Sequence, residues 1–148
     1  MQTKITKIDK SKPEMIEIQC HTLSEEVQEI VAFVKSRQGQ LSCVSDEKIY
    51  EVSVSDILYI ETVDNKSFVY TLNNVYETKQ RLYELEEMLK EKRFLRISKS
   101  MLLNLMKVSS IKPALNSRFM AELISGEQVV ITRKYASDLK KALKGGMV

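Results

Sequence analysis

Four glycines and two prolines in 148 residues leave no material for a glycine-rich phosphate loop or a proline-rich linker. Tryptophan is absent, and histidine occurs once, at His21. A helix start follows that histidine instead of a nucleophile elbow, so no oriented nucleophile–base pair can be drawn. Carboxylate pairs such as Glu86-Glu87 sit on a charged helix face, where charges belong anyway. The sequence predicts no enzyme. Cys20 and Cys43, without framework spacing, fit a reducing cytoplasm. Together with His21 they could supply three metal ligands, but the paired C-x₂₋₄-C units of a zinc site are missing. Buried structural cysteines are the favoured reading, and neither a metal nor a cofactor is expected. No apolar run approaches the ~18 residues that span a bilayer. The opening "MQTKITKIDKSKPEM" has no apolar core of the secretory kind, which predicts a cytoplasmic protein.

Acidic residues are also missing, but only locally. From Lys92 to Ala121 there is no Asp or Glu, while "KRFLRISKSMLLNLMKVSSIKPALNSRF" carries seven Lys or Arg. Residues 1–91 hold 11 basic and 17 acidic side chains, and residues 92–148 hold 12 and 3. The net charges are −6 and +9, consistent with the overall +3. An acidic body with a basic face favours a polyanionic partner. Solubility alone explains it less well, because acids serve solubility at least equally.

What is present reads as one compact chain of 43% hydrophobic and 29% charged residues. "EMIEIQC" alternates and predicts a strand. Thr22 with Glu25 forms a capping-box pattern, and Val27, Ile30, Val31 and Val34 recur at helical spacing. A helix over 24–37 follows, ended by Gly39. The period then changes to two. "QLSCVSDEKIYEVSV" predicts a hairpin around Asp46-Glu47, and "DILYIETV" and "SFVYTL" flank "DNK" as two more strands. "KQRLYELEEMLKE" predicts a helix over 79–90, with Leu82, Leu85 and Leu89 on one stripe. "VSSIKPAL", "RFMAELI" and "EQVVIT" predict three strands turned at Asn116-Ser117 and Ser125-Gly126. The tail predicts a helix over 134–143 with Ala136, Leu139, Ala142 and Leu143 inward. The class is mainly β (α+β, antiparallel), with a strand–helix extension over 1–40 and a main domain over 41–148.

Within "FLRISKSMLLNLMKV", the apolar residues can anchor a core while Arg96, Ser98, Lys99, Ser100 and Asn104 point outward. Arg, Lys and Ser contact phosphates, and Asn or Arg can read base edges. The alternative is that Asn104 and Ser100 cap a tight turn. A thirty-residue exclusion of acids favours the first reading, since capping would not exclude Asp or Glu.

"DILYIETVDNKSFVYT", "FLRISKSMLLNLMKVSSI" and "VVITRKYASDLKKAL", with the helix "RLYELEEML" between the first two, resemble the LytTR-type DNA-binding domain of bacterial transcription regulators. The resemblance covers about Leu41 to Leu143. It implies an antiparallel fold without a helix-turn-helix, which inserts loops into successive major grooves of duplex DNA. Carried over, it implies base contacts from Lys66, Asn104 and Arg133. Backbone contacts are implied from Asn65, Ser67, Ser98, Lys99, Ser100, Lys134 and Tyr135, and the basic run adds Arg96 and Arg118 to them as expected backbone contacts. Where the family commonly has His-Arg before the serine, this chain has Ser98-Lys99. Forty residues are too few for a receiver domain, so phosphorelay control is not expected. The resemblance implies double-stranded DNA as partner, leaves room for a homodimer on repeated half-sites and a restraining membrane protein, and implies no small-molecule substrate. Two further classes stay open: a module docking an acidic protein through the basic face, and single-strand binding. The latter wants aromatic platforms, whereas Tyr59, Phe68 and Tyr70 fall at core-compatible spacing.

Overall fold

The structure, a computed structural model, describes residues 1–146. Its elements are α1 (Glu25–Arg37), β1 (Gln40–Ser45), β2 (Lys48–Ser53), β3 (Tyr59–Val63), β4 (Lys66–Tyr70), β5 (Val75–Thr78) and α2 (Leu82–Met88). There follow β6 (Phe94–Ser98), β7 (Met101–Asn104), β8 (Val108–Pro113), β9 (Phe119–Leu123), β10 (Gln128–Ile131) and α3 (Arg133–Gly146). Seven strands form an antiparallel sheet in the order β2-β1-β5-β4-β3-β7-β6, and three form a second in the order β10-β9-β8. The fold is mainly antiparallel β with three helices, as the change of period after Gly39 predicts.

Turn chemistry sets the hairpins. Asp46-Glu47 and Asp64-Asn65 both take positive φ, at 49° and 64° and at 51° and 65°. Two consecutive left-handed residues make the tight turn whose twist matches paired strands, and Asp and Asn tolerate it best after glycine. Gly39, at φ +86°, closes α1 and redirects the chain into β1.

The β3, β7 and β6 strands are covered on both faces, so alternate residues feed two cores. Ile60 and Leu102 join Leu41, Val69, Leu85, Leu89 and Phe94 beneath α2. Tyr59, Leu103 and Ile97 join Leu123, Ile131 and Leu139 beneath the small sheet and α3. Tyr59 stacks on Tyr70 at 4.5 Å, and its hydroxyl donates to Glu127 at 2.8 Å, tying the large sheet to the β9–β10 turn. These aromatics are structural.

Three sequence expectations are corrected. "EMIEIQC" forms no strand: residues 14–20 have no regular structure, and no backbone hydrogen bond joins them to another described element. Alternation supplies a strand's faces but not its partner. The cap of α1 is Ser24, not Thr22; its Oγ accepts from the Val27 N–H at 3.3 Å. The second helix starts at Leu82, later than expected, because Arg81 is extended and its N–H donates to the Glu84 carboxylate at 3.0 Å.

Cys20 is exposed and Cys43 is buried on β1. No His, Cys, Asp and Glu cluster suited to a metal occurs among the described residues. Burial, with the nearby Glu51 charge, pushes the Cys43 thiol up to about 12. Thiolate, not thiol, reacts. Thiol titration of the folded chain at neutral pH should therefore count one group, the second appearing only in denaturant. Two fast groups without denaturant would contradict the burial of Cys43.

Candidate nucleic-acid interface

Three basic segments far apart in sequence reach one end of the large sheet. The β3–β4 turn carries Asn65 and Lys66, and the β6–β7 turn carries Lys99 and Ser100. β3 pairs with both β4 and β7, so strand spacing puts the two turns about 10 Å apart. The contact between them is direct: the Thr62 N–H donates to the Ser100 carbonyl at 2.8 Å. Thr132 supplies the third link. Its N–H and its hydroxyl both donate to the Ile97 carbonyl, at 2.9 and 3.2 Å. The first turn of α3, with Arg133 and Lys134, is thereby held beside Ser98. Phe119 pairs with Ile131, which brings the β8–β9 turn and Arg118 to the same end of the small sheet.

Asn65, Lys66, Lys99, Arg118, Arg133 and Lys134 are exposed along this ridge. Ser98, Ser100 and Tyr135 are half-buried. Lys134 reaches back over the Tyr135 ring at 5.6 Å, a cation–π contact that steadies the lysine near the surface. Asp64 is the acid at the tip of the first turn and tempers its charge. Five exposed cations and one exposed amide remain, a composition suited to phosphate oxygens and base edges.

The structure moves three expected contacts away from that surface. Asn104 is 2% exposed. Its Nδ2 donates to the Ile57 carbonyl at 2.8 Å, and its Oδ1 accepts from the Met106 N–H at 3.0 Å. It caps the turn after β7, because β7 is an inner strand with both faces covered. Ser67 is buried on β4, 3.4 Å from the Thr62 hydroxyl. Arg96 spends its guanidinium inside the protein. Nε donates to the Ser98 carbonyl at 2.9 Å, Nη2 to the Lys99 carbonyl at 2.6 Å and Nη1 to Glu86 at 3.0 Å. These three bonds brace the β6–β7 turn. Sequence reasoning missed that bracing role. Arg96 two residues before the turn was a visible signal, but Glu86 on α2 was not.

A family model described as the LytTr DNA-binding domain matches residues 47–144. The sensory transduction protein LytT of Bacillus anthracis is 33% identical over 113 residues, covering 76% of this chain and 46% of that protein. LytT of Bacillus subtilis is 30% identical over 106 residues, covering 72% and 44%. The chain thus spans less than half the length of these LytT relatives. A Staphylococcus aureus protein described as an uncharacterized HTH-type transcriptional regulator is 27% identical over 130 residues, covering 86% and 88%. A solved LytTr DNA-binding domain from Bacillus cereus superposes with a TM-score of 0.67 at 27% identity, covering 71% of this chain and 96% of that one.

Proposed function

The chain belongs to the LytTr DNA-binding domain family, and on that premise we propose that it is a transcription regulator whose ridge enters the major groove of duplex DNA. Such domains bind DNA and are not enzymes. The observation that carries the reading is the pair of backbone links, Thr62 to Ser100 and Thr132 to Ile97, which gather three separate basic segments at one sheet end. Lys99, Arg118 and Lys134 are the candidates to pair with phosphates, with Ser98, Ser100 and Tyr135 as partly buried helpers. Lys66 and Arg133 are the candidates to read guanine, whose O6 and N7 fit a guanidinium fork or an ammonium. With Asn104 withdrawn, Asn65 is the exposed amide on the ridge that can pair with adenine.

Titration against the chain's own upstream duplex and a scrambled duplex tests this. Arg133→Ala should cost about 1–3 kcal/mol on the preferred site and little on the scrambled one. Lys99→Ala should weaken both by similar factors, because a phosphate contact carries no sequence information. If both variants melt like the parent and bind the preferred site as it does, the ridge is not the reading surface. Retention by an acidic protein without affinity for any duplex would favour a docking module instead.

A further inference from the structure

The seven-stranded sheet ends at β2, and among the described residues no strand pairs with its outer side. That edge holds no proline, and its charges are Lys48 at one end and Glu51, which is paired with Lys35. Between these charges Ile49 is 75% exposed and Tyr50 40% exposed. The same chain carries the reverse of this vacancy. Residues 14–20 form no helix or strand, and their apolar residues alternate as those of a strand do. They leave Met15 75% and Ile16 69% exposed, and their backbone N–H and C=O groups bond to no other described element. An open edge and an unpaired strand satisfy each other through main-chain hydrogen bonds, with side-chain faces setting register.

The faces agree. On β2, Tyr50 and Val52 share the side that packs toward Cys43 and Leu41, as the β1–β2 register shows. Ile49 lies on the opposite side. In the arm, Ile16, Ile18 and Cys20 share one face and Met15 the other. A strand added with Ile16 or Ile18 opposite Tyr50 would prolong the buried face and bring Met15 to the Ile49 side.

We propose that residues 14–20 dock on the β2 edge of a second copy of this chain, and that the exchange is reciprocal. Within one copy no backbone hydrogen bond joins the arm to the edge. A two-fold dimer closes two edges at once through one self-complementary contact. The proposal stands independently of DNA binding, although it would carry two basic ridges on one particle.

Sedimentation velocity on the full chain tests it, using Ile16→Lys in the arm and Ile49→Lys on the edge. Both side chains are exposed in a single copy, so neither change should lower the melting temperature of the monomer. The parent chain should dimerise, and each variant should weaken self-association by about tenfold or more. An equimolar mixture of the two variants retains one intact arm facing one intact edge, and should recover association that neither shows alone. A monomeric parent at high micromolar concentration overturns the proposal. So does an Ile16→Lys chain that stays dimeric, which would mean that two β2 edges pair directly.

Discussion

Replacing Asn104 by alanine should destabilise the chain by about 2–4 kcal/mol. The carboxamide bonds the Ile57 carbonyl at 2.8 Å and the Met106 N–H at 3.0 Å. Its own N–H meanwhile donates to the Leu58 carbonyl at 3.0 Å. Ile57 is completely buried, so its carbonyl cannot turn to water when the amide is gone. Leaving a buried backbone group unsatisfied costs about 1–3 kcal/mol. Two partners are lost here, and one of them, on exposed Met106, can recover part of the loss from solvent. For a chain of this size the melting temperature should fall by roughly 5–15 °C. Thermal melts of Asn104→Ala and the parent measure the fall, and urea titrations measure the loss of stability. Below its melting range the variant should keep its preference between the preferred and scrambled duplexes, because Asn104 does not reach the surface. A variant that melts normally but loses that preference would restore Asn104 as a base reader.

The second large effect is on salt. Lys66, Lys99, Arg118, Arg133 and Lys134 are the exposed cations on the ridge. If four or five neutralise phosphates, log K should fall against log salt with a slope of about −4, at −0.9 per phosphate on duplex DNA. Raising salt from about 50 to 200 mM should then weaken binding by roughly two hundredfold or more. Lys99→Ala should flatten the slope by about one unit. Arg96→Gln should not, because its guanidinium is already committed to Glu86 and to the Ser98 and Lys99 carbonyls. It should disturb the turn and lower affinity at every salt concentration. A parent slope near zero would separate the basic face from DNA altogether.

Much of the main domain was legible because its signals are local. Asp46-Glu47 and Asp64-Asn65 declare tight turns through residue type alone, and both form them. Leu82, Leu85 and Leu89 declare a helical stripe, and all three are buried. The strands over "VSSIKPAL", "RFMAELI" and "EQVVIT" appear where alternation placed them. The arm at residues 14–20 failed for the complementary reason. Its alternation is as good as that of β9, but a strand exists only when another strand satisfies its backbone, and the neighbour is not written in the segment itself.

The site divides along the same line. The basic second half of the chain and the turns at Lys99 and Asp64-Asn65 are legible without any structure. These follow from composition and near-neighbour spacing. Which polar residues on those segments reach solvent is set by packing between distant parts of the chain. Asn104 and Arg133 looked equivalent as base readers. One ends an inner strand whose two faces are covered by the two cores, and the other opens a helix at the sheet's end. Strand order sets that difference, and strand order depends on contacts between residues tens of positions apart. A polar side chain is forced inward where its strand lies between others, and there it must bond the backbone it displaces from water.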